Sequence, residues 1–195
     1  MRYYRLTFSM AAVLLLGAGC VKIETSSGDS EQRTHLSAQS AADLRADWAR
    51  SLQNATPTET AQMLARKIDA VSSAYAAYSL QVAEQWRDGN NTKGEPIPAS
   101  DMRRYVQGWV ATERPLLDAN DDMIEYAFAR IKEQGGLDDE TVEIARRLIA
   151  SYYELYSAVF IPNGDVTDYE YTVGQRRSDV ENLVGELERD LARYF

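Results

Sequence analysis

Thr56-Pro57-Thr58-Glu59, followed by Leu64, Ile68, Val71, Tyr75, Tyr78, Val82 and Trp86, is the stretch that decides the fold. A threonine cap, a proline at the first helical position and a glutamate three residues after the cap make a capping box, which satisfies backbone donors at a helix start. The apolar residues that follow recur at four, three, four, three, four and four residues. That spacing places them on one narrow helical stripe, close to a heptad seam. Ala70, Ala74 and Ala77 add a stripe of small side chains where a second helix can approach closely. An aromatic stripe of this kind reads as the core of a bundle.

Downstream, Asp88 to Ala99 carries Gly89, Asn90, Asn91, Gly94, Pro96 and Pro98 and reads as a loop. A helix over about 100–133 then presents Met102, Tyr105, Val106, Trp109, Val110, Leu116, Leu117, Ile124, Phe128 and Ile131 on one face. Pro115 lies inside it, and proline removes a backbone bond and disfavours helical geometry before it, so a kink is expected there, with a break as the alternative. Gln134-Gly135-Gly136 stops this helix and Asp138-Asp139 caps the next, over about 139–161. That helix has the widest apolar face, roughly 160° at 100° per residue, so it should be covered on more than one side. Pro162-Asn163-Gly164 ends it. Thr167-Asp168-Tyr169-Glu170 reads as a second capping box, with Val166 as its hydrophobic staple, opening the last helix.

Upstream, Ala41, Leu44, Trp48 and Leu52 predict a short helix over about 38–53. Residues 21 to 36 are small and polar without apolar periodicity and read as a tether, with the only histidine, His35, solvated at its end. No segment alternates with a period of two. The expected fold is therefore all-α: an up-down antiparallel bundle of four main helices plus a short N-terminal helix, as one domain over 37–195.

The first twenty residues are of another kind. Arg2 and Arg5 precede a charge-free run from Leu6 to Gly19, too short for the ~20 apolar residues that a membrane-spanning helix needs. The run ends Leu16-Gly17-Ala18-Gly19-Cys20, which resembles the lipobox of bacterial lipoprotein precursors, with Leu16 one place further from the cysteine than the usual pattern. The resemblance implies a signal peptide over 1–19, cleavage before Cys20 and acyl chains on Cys20. It makes residues 20–36 a lipidated tether. Val21, rather than aspartate, after the cysteine implies the periplasmic face of the outer membrane. An ordinary signal peptide cut after Ala18 or Gly19 is the alternative. The implied partner through Cys20 is the lipid bilayer, because two acyl chains hold a protein stably on a membrane.

The sequence holds 21 basic and 30 acidic residues; losing Arg2 and Arg5 leaves 19 against 30, a net charge of −11. Such a surface repels phosphate backbones, which argues against nucleic acid as a partner. With Cys20 acylated, no thiol remains for a disulfide, a nucleophile or a metal. The sequence carries no Gly-rich phosphate loop, G-x-S-x-G or H-E-x-x-H motif, and no Glu-Ser pair of the kind that envelope lytic enzymes use. No catalytic residue, cofactor or metal site is predicted. Asp118, Asn120 and Asp122 begin like an EF-hand loop, but Met123 stands where glycine is needed and Ala129 where a bidentate glutamate is needed, so a solvated acidic face is expected. The loop Asn163 to Asp168 is a slightly better candidate for weak calcium binding, although Thr167 and Asp168 are already explained by capping.

Polar residues on apolar faces supply the remaining candidates. Glu113 and Asn120 lie near the centre of the third helix's apolar arc, and Arg176 and Arg177 lie between Val173 and Val180. A carboxylate and a guanidinium buried together satisfy each other, whereas either alone costs several kcal/mol. These four residues are expected to form an interior polar layer that fixes helix register, with Glu113 paired to Arg176 or Arg177. Two functional readings follow. One is a non-catalytic binding or scaffolding lipoprotein that meets an envelope protein partner. The other is a receptor or enzyme for a small envelope ligand, such as a peptidoglycan fragment, held between the helices.

Overall fold

The computed structural model describes residues 30–89 and 95–195, with side chains from Gln39 onward. The lipobox and Cys20 lie outside the described residues. The helices are α1 (Ser30–Leu52), α2 (Pro57–Asp88), α3 (Ala99–Gln134), α4 (Asp139–Phe160) and α5 (Val166–Leu191), followed by a 3-10 turn, Ala192–Tyr194. There is no β-strand among the described residues. The fold is an all-α bundle.

Local chemistry sets each helix start. The Glu59 amide donates to Thr56 Oγ1 at 3.2 Å and the Thr56 amide donates to Glu59 Oε2 at 2.8 Å, so the expected capping box is formed. Asp138 caps α4 by accepting the Thr141 amide at 2.8 Å. The last helix starts earlier than its sequence suggests. Its cap is Asp165, whose Oδ1 accepts the Thr167 and Asp168 amides at 2.8 and 2.9 Å. Gly164, at φ 70°, turns the chain into that cap through a conformation that side-chain-bearing residues resist. Gly135 and Gly136, both at positive φ, terminate α3.

One further boundary differs from expectation. α1 begins at Ser30, inside the stretch read as tether. Apolar periodicity reports a buried face and not helicity itself, so the polar but helix-compatible residues 30–36 gave no signal. α3 runs unbroken through Pro115. Packed residues on both sides of the proline, Val110 before it and Leu116 and Leu117 after it, hold the two halves in one helix.

Packing gives the bundle a lozenge cross-section. α2 lies against α3, α4 and α5, and α4 also packs on α3 and α5, whereas α3 and α5 barely approach each other. The short diagonal thus joins α2 to α4. It is filled by Tyr75, whose ring lies 5.9 Å from Tyr152, 5.8 Å from Tyr156 and 5.0 Å from Phe160. Leu64, Ile68, Leu117, Ile124, Leu148 and Leu155 are fully buried around it. Each contributes about 1.5–3 kcal/mol by leaving water. α1 stands outside the lozenge and packs chiefly on α3. Ala41, Leu44 and Trp48 meet Leu116, Ala119 and Met123 in a separate apolar cluster, while Leu52, at the helix end, lies in the main core and Trp48 packs against both.

Candidate functional site

The bundle interior holds a chain of hydroxyls that ends on a carboxylate. The heptad stripe of α2 delivers Tyr75 to the short diagonal, where its hydroxyl meets that of Tyr152 on α4 at 3.1 Å. Tyr152 donates in turn to Asp121 Oδ1 on α3 at 2.8 Å, which leaves Tyr75 as the donor to Tyr152. Beside them Tyr153 donates to Glu125 Oε1 at 3.1 Å. Asp121 and Glu125 are four residues apart, so they share the face of α3 that looks toward α4.

Burial pushes the Asp121 carboxyl above its usual range, with further upward pushes from Asp118, Glu125 and Asp122, against the lowering effect of the Tyr152 hydrogen bond. Burial likewise raises the Tyr75 and Tyr152 hydroxyls well above the ordinary tyrosine range. These hydroxyls therefore stay protonated at physiological pH. The chain is a set of donors that ties three helices together, and it presents no activated nucleophile.

The four residues expected to form a polar layer do not come together. Asn120 is buried, 2% exposed. Arg177 is largely buried but meets Asp69 of α2 at 2.9 Å, Ser73 at 2.9 Å and Glu181 at 3.0 Å. Arg176 meets Glu154 of α4 at 2.7 Å and Asp179 at 3.3 Å. Glu113 is half-buried on α3, where its charge acts on the Tyr78 hydroxyl. The lozenge explains the correction: α3 and α5 occupy opposite corners, so Glu113 and the two arginines face different neighbours. The sequence did hold a signal for the polar chain that formed instead. Asp121 stands between Leu117, Ile124 and Phe128 at four-, three- and four-residue spacing, a heptad position occupied by an acid.

The EF-hand-like run on α3 diverges, as a helix requires. Asp118 pairs with Arg114 at 3.7 Å and Asp122 with Arg45 at 2.6 Å, while Asn120 points into the core. At the other candidate loop, Asp165 and Asp168 are engaged in capping α5. Among the described residues no group of three His, Cys, Asp or Glu side chains is placed to hold a metal ion.

Surface clefts run along the α4–α5 seam. The larger, about 520 Å³ and open to solvent, is lined by Tyr153, Ser157, Ile161, Asn163, Tyr169 and Arg176. The second, about 410 Å³, includes Ser151, Asp179 and Asn182 and is bridged by Arg147 and Glu186 at 3.1 Å. Arg176 and Arg147 are thus already neutralised within the protein. Among the described residues no helix is long and apolar enough to cross a membrane. No protein-family model, curated protein or solved structure matches the chain.

Proposed function

We propose that this chain is a membrane-anchored bacterial lipoprotein, held by acyl chains on Cys20 at the periplasmic face of the outer membrane, that acts as a non-catalytic binding or scaffolding component of the cell envelope. The observation that carries the reading is the stretch Leu16-Gly17-Ala18-Gly19-Cys20 at the end of a charge-free apolar run. The helical domain is consistent with it. Its interior polar groups serve to join helices, and its prominent clefts are open surfaces crossed by ion pairs. A surface of that kind suits contact with another macromolecule better than enclosure of a reacting small molecule.

The test is direct. Lipid attachment needs the Cys20 thiol, so Cys20→Ser should abolish incorporation of radiolabelled palmitate, accumulate the precursor and leave the domain folded. Normal processing and palmitate labelling of that variant would refute the lipoprotein reading. Crosslinking of the lipidated protein in cells, followed by affinity capture, then separates the two functions. A specific envelope protein partner supports scaffolding, and a copurifying small molecule supports the receptor reading.

A further inference from the structure

Six large apolar side chains among the described residues are exposed, and four of them lie near one end of the bundle. That end holds the C-termini of α2 and α4 and the N-termini of α3 and α5. At 1.5 Å per residue, Tyr105 lies about 9 Å inside α3, Tyr171 about 8 Å inside α5 and Leu80 about 12 Å before the end of α2. Ile161 directly follows α4. Their exposures are 48, 69, 65 and 46%. The other two, Tyr126 and Phe195, belong to the opposite half.

These four residues come from different corners of the lozenge and so form a ring rather than a side patch. A partner protein docking on one flank would cover one or two of them. A plane laid across the end lies within about 12 Å of all four along the helix axes, with Leu80 the farthest. Tyrosines with aliphatic neighbours at the rim of such a plane match the composition of membrane–water interfaces.

The path of the chain toward Cys20 points to the same end. α1 and α3 run in the same direction, because each is antiparallel to α2. Arg45 is level with Asp122, to which it pairs. Ser30, fifteen residues before Arg45, is therefore level with about residue 107 of α3, close to Tyr105. Ten peptide links separate Cys20 from Ser30 and reach at most about 35 Å. To lay the opposite end on the bilayer, that link would have to span the ~33 Å length of α1 as well, almost fully extended. With the end carrying Tyr105 on the membrane, the link spans little of that distance.

We infer that the end of the bundle bearing Leu80, Tyr105, Ile161 and Tyr171 rests on the headgroup layer of a lipid bilayer, so that the protein stands upright on its anchor. The inference depends on acylation at Cys20. Among the described residues acids crowd this end, with Asp88, Glu95, Asp101, Asp165 and Asp168 against Arg103, Arg104 and the Arg87–Glu170 pair at 2.6 Å. The surface it suits is therefore zwitterionic, because anionic headgroups would be repelled.

The experiment uses the full-length lipidated protein on phosphatidylethanolamine–phosphatidylcholine vesicles that carry a headgroup-attached nitroxide. With Cys20 acylated, Thr167→Cys, exposed at the start of α5, or Glu133→Cys supplies the only free thiol for a fluorophore. Quenching at position 167 should exceed that at 133, near the far end of α3, by at least threefold. Replacing Tyr105 and Tyr171 with serine should reduce the difference by at least half, the tether's bias remaining, while palmitate labelling stays unchanged. Equal quenching at the two positions, or stronger quenching at 133, with palmitate present overturns the docking and leaves the anchor standing. Absence of palmitate from the unsubstituted protein overturns the anchor and the docking with it.

Discussion

Helices α1 and α4 are nearly equal in length, 23 and 22 residues, yet they are held in opposite ways. α4 is enclosed by α2, α3 and α5 and buries Ile144, Leu148, Tyr152, Leu155 and Val159. α1 leans chiefly on α3, through a strip of Ala41, Leu44 and Trp48, with Leu52 inserted into the main core at its end. Among the described residues its polar contacts to α3 are Trp48 Nε1, which donates to the Met123 carbonyl at 2.8 Å, and Arg45, which pairs with Asp122 at 2.6 Å. The width of an apolar arc therefore reports how many neighbours a helix has. It also separates a helix that defines the cooperative unit from one docked against it.

The largest effect that sharpens this contrast belongs to the enclosed helix. Leu155 is fully buried, and Leu155→Ala removes its side chain from the contact of α4 with the core. A loss of about 2–5 kcal/mol is expected in urea unfolding, shared by every helix of the lozenge. A loss below about 1 kcal/mol would mean that α4 is not the centre of the cooperative unit.

Tyr152→Phe comes next. It keeps the ring in place but strips Asp121 of a donor and leaves the Tyr75 hydroxyl buried without its partner. The expected cost is about 1–3 kcal/mol, and Tyr75→Phe in the same chain should recover part of it, because the orphaned hydroxyl is then gone. Additive losses in that cycle would show that the hydroxyl chain is not a unit.

The smallest effect is a gain. Lys67, half-buried on α2, makes no ion pair or hydrogen bond among the described residues, and burial pushes its ammonium down to about 8. The unfolded chain keeps that proton to about 10.4. Between about pH 8 and 10.4 the unfolded state binds more protons, so this group's contribution to stability rises with pH; below 8 its burial cost is felt in full. Lys67→Met should raise stability at pH 7 by on the order of 1 kcal/mol and remove that rise. Unchanged stability in urea titrations at pH 7 and pH 10 would place the ammonium in water.

These expectations rest on features that differ in how plainly the sequence displays them. Thr56-Pro57-Thr58-Glu59, the stripe from Leu64 to Trp86 and the glycine stop at 135–136 are local signals, because the atoms that satisfy them lie within one turn. The number of helices and their alternation follow from such signals. α5 starts ahead of the Thr167 box because Asp165 and Thr167 are both competent caps, and the positive φ of Gly164 selects Asp165. The polar layer failed for a different reason. Periodicity tells which face of a helix turns inward, but which corner of the bundle that face meets depends on the diagonal that closes. Tyr75, Tyr152, Tyr156 and Phe160 close it between α2 and α4, which sends Arg177 to Asp69 and Arg176 to Glu154. No spacing within a single helix encodes that choice.

Native-state hydrogen exchange tests the division between docked helix and cooperative core most directly. Amides of α1 before Leu52 should exchange through local opening, at a free energy clearly below the global value, and Trp48→Ala should lower their protection further while that of α2 and α4 stays the same. Buried amides of α2, α3, α4 and α5 should share one slower, denaturant-dependent limit. If the α1 amides reach that same limit, and Trp48→Ala lowers protection in all five helices together, α1 belongs to the core and the account is wrong.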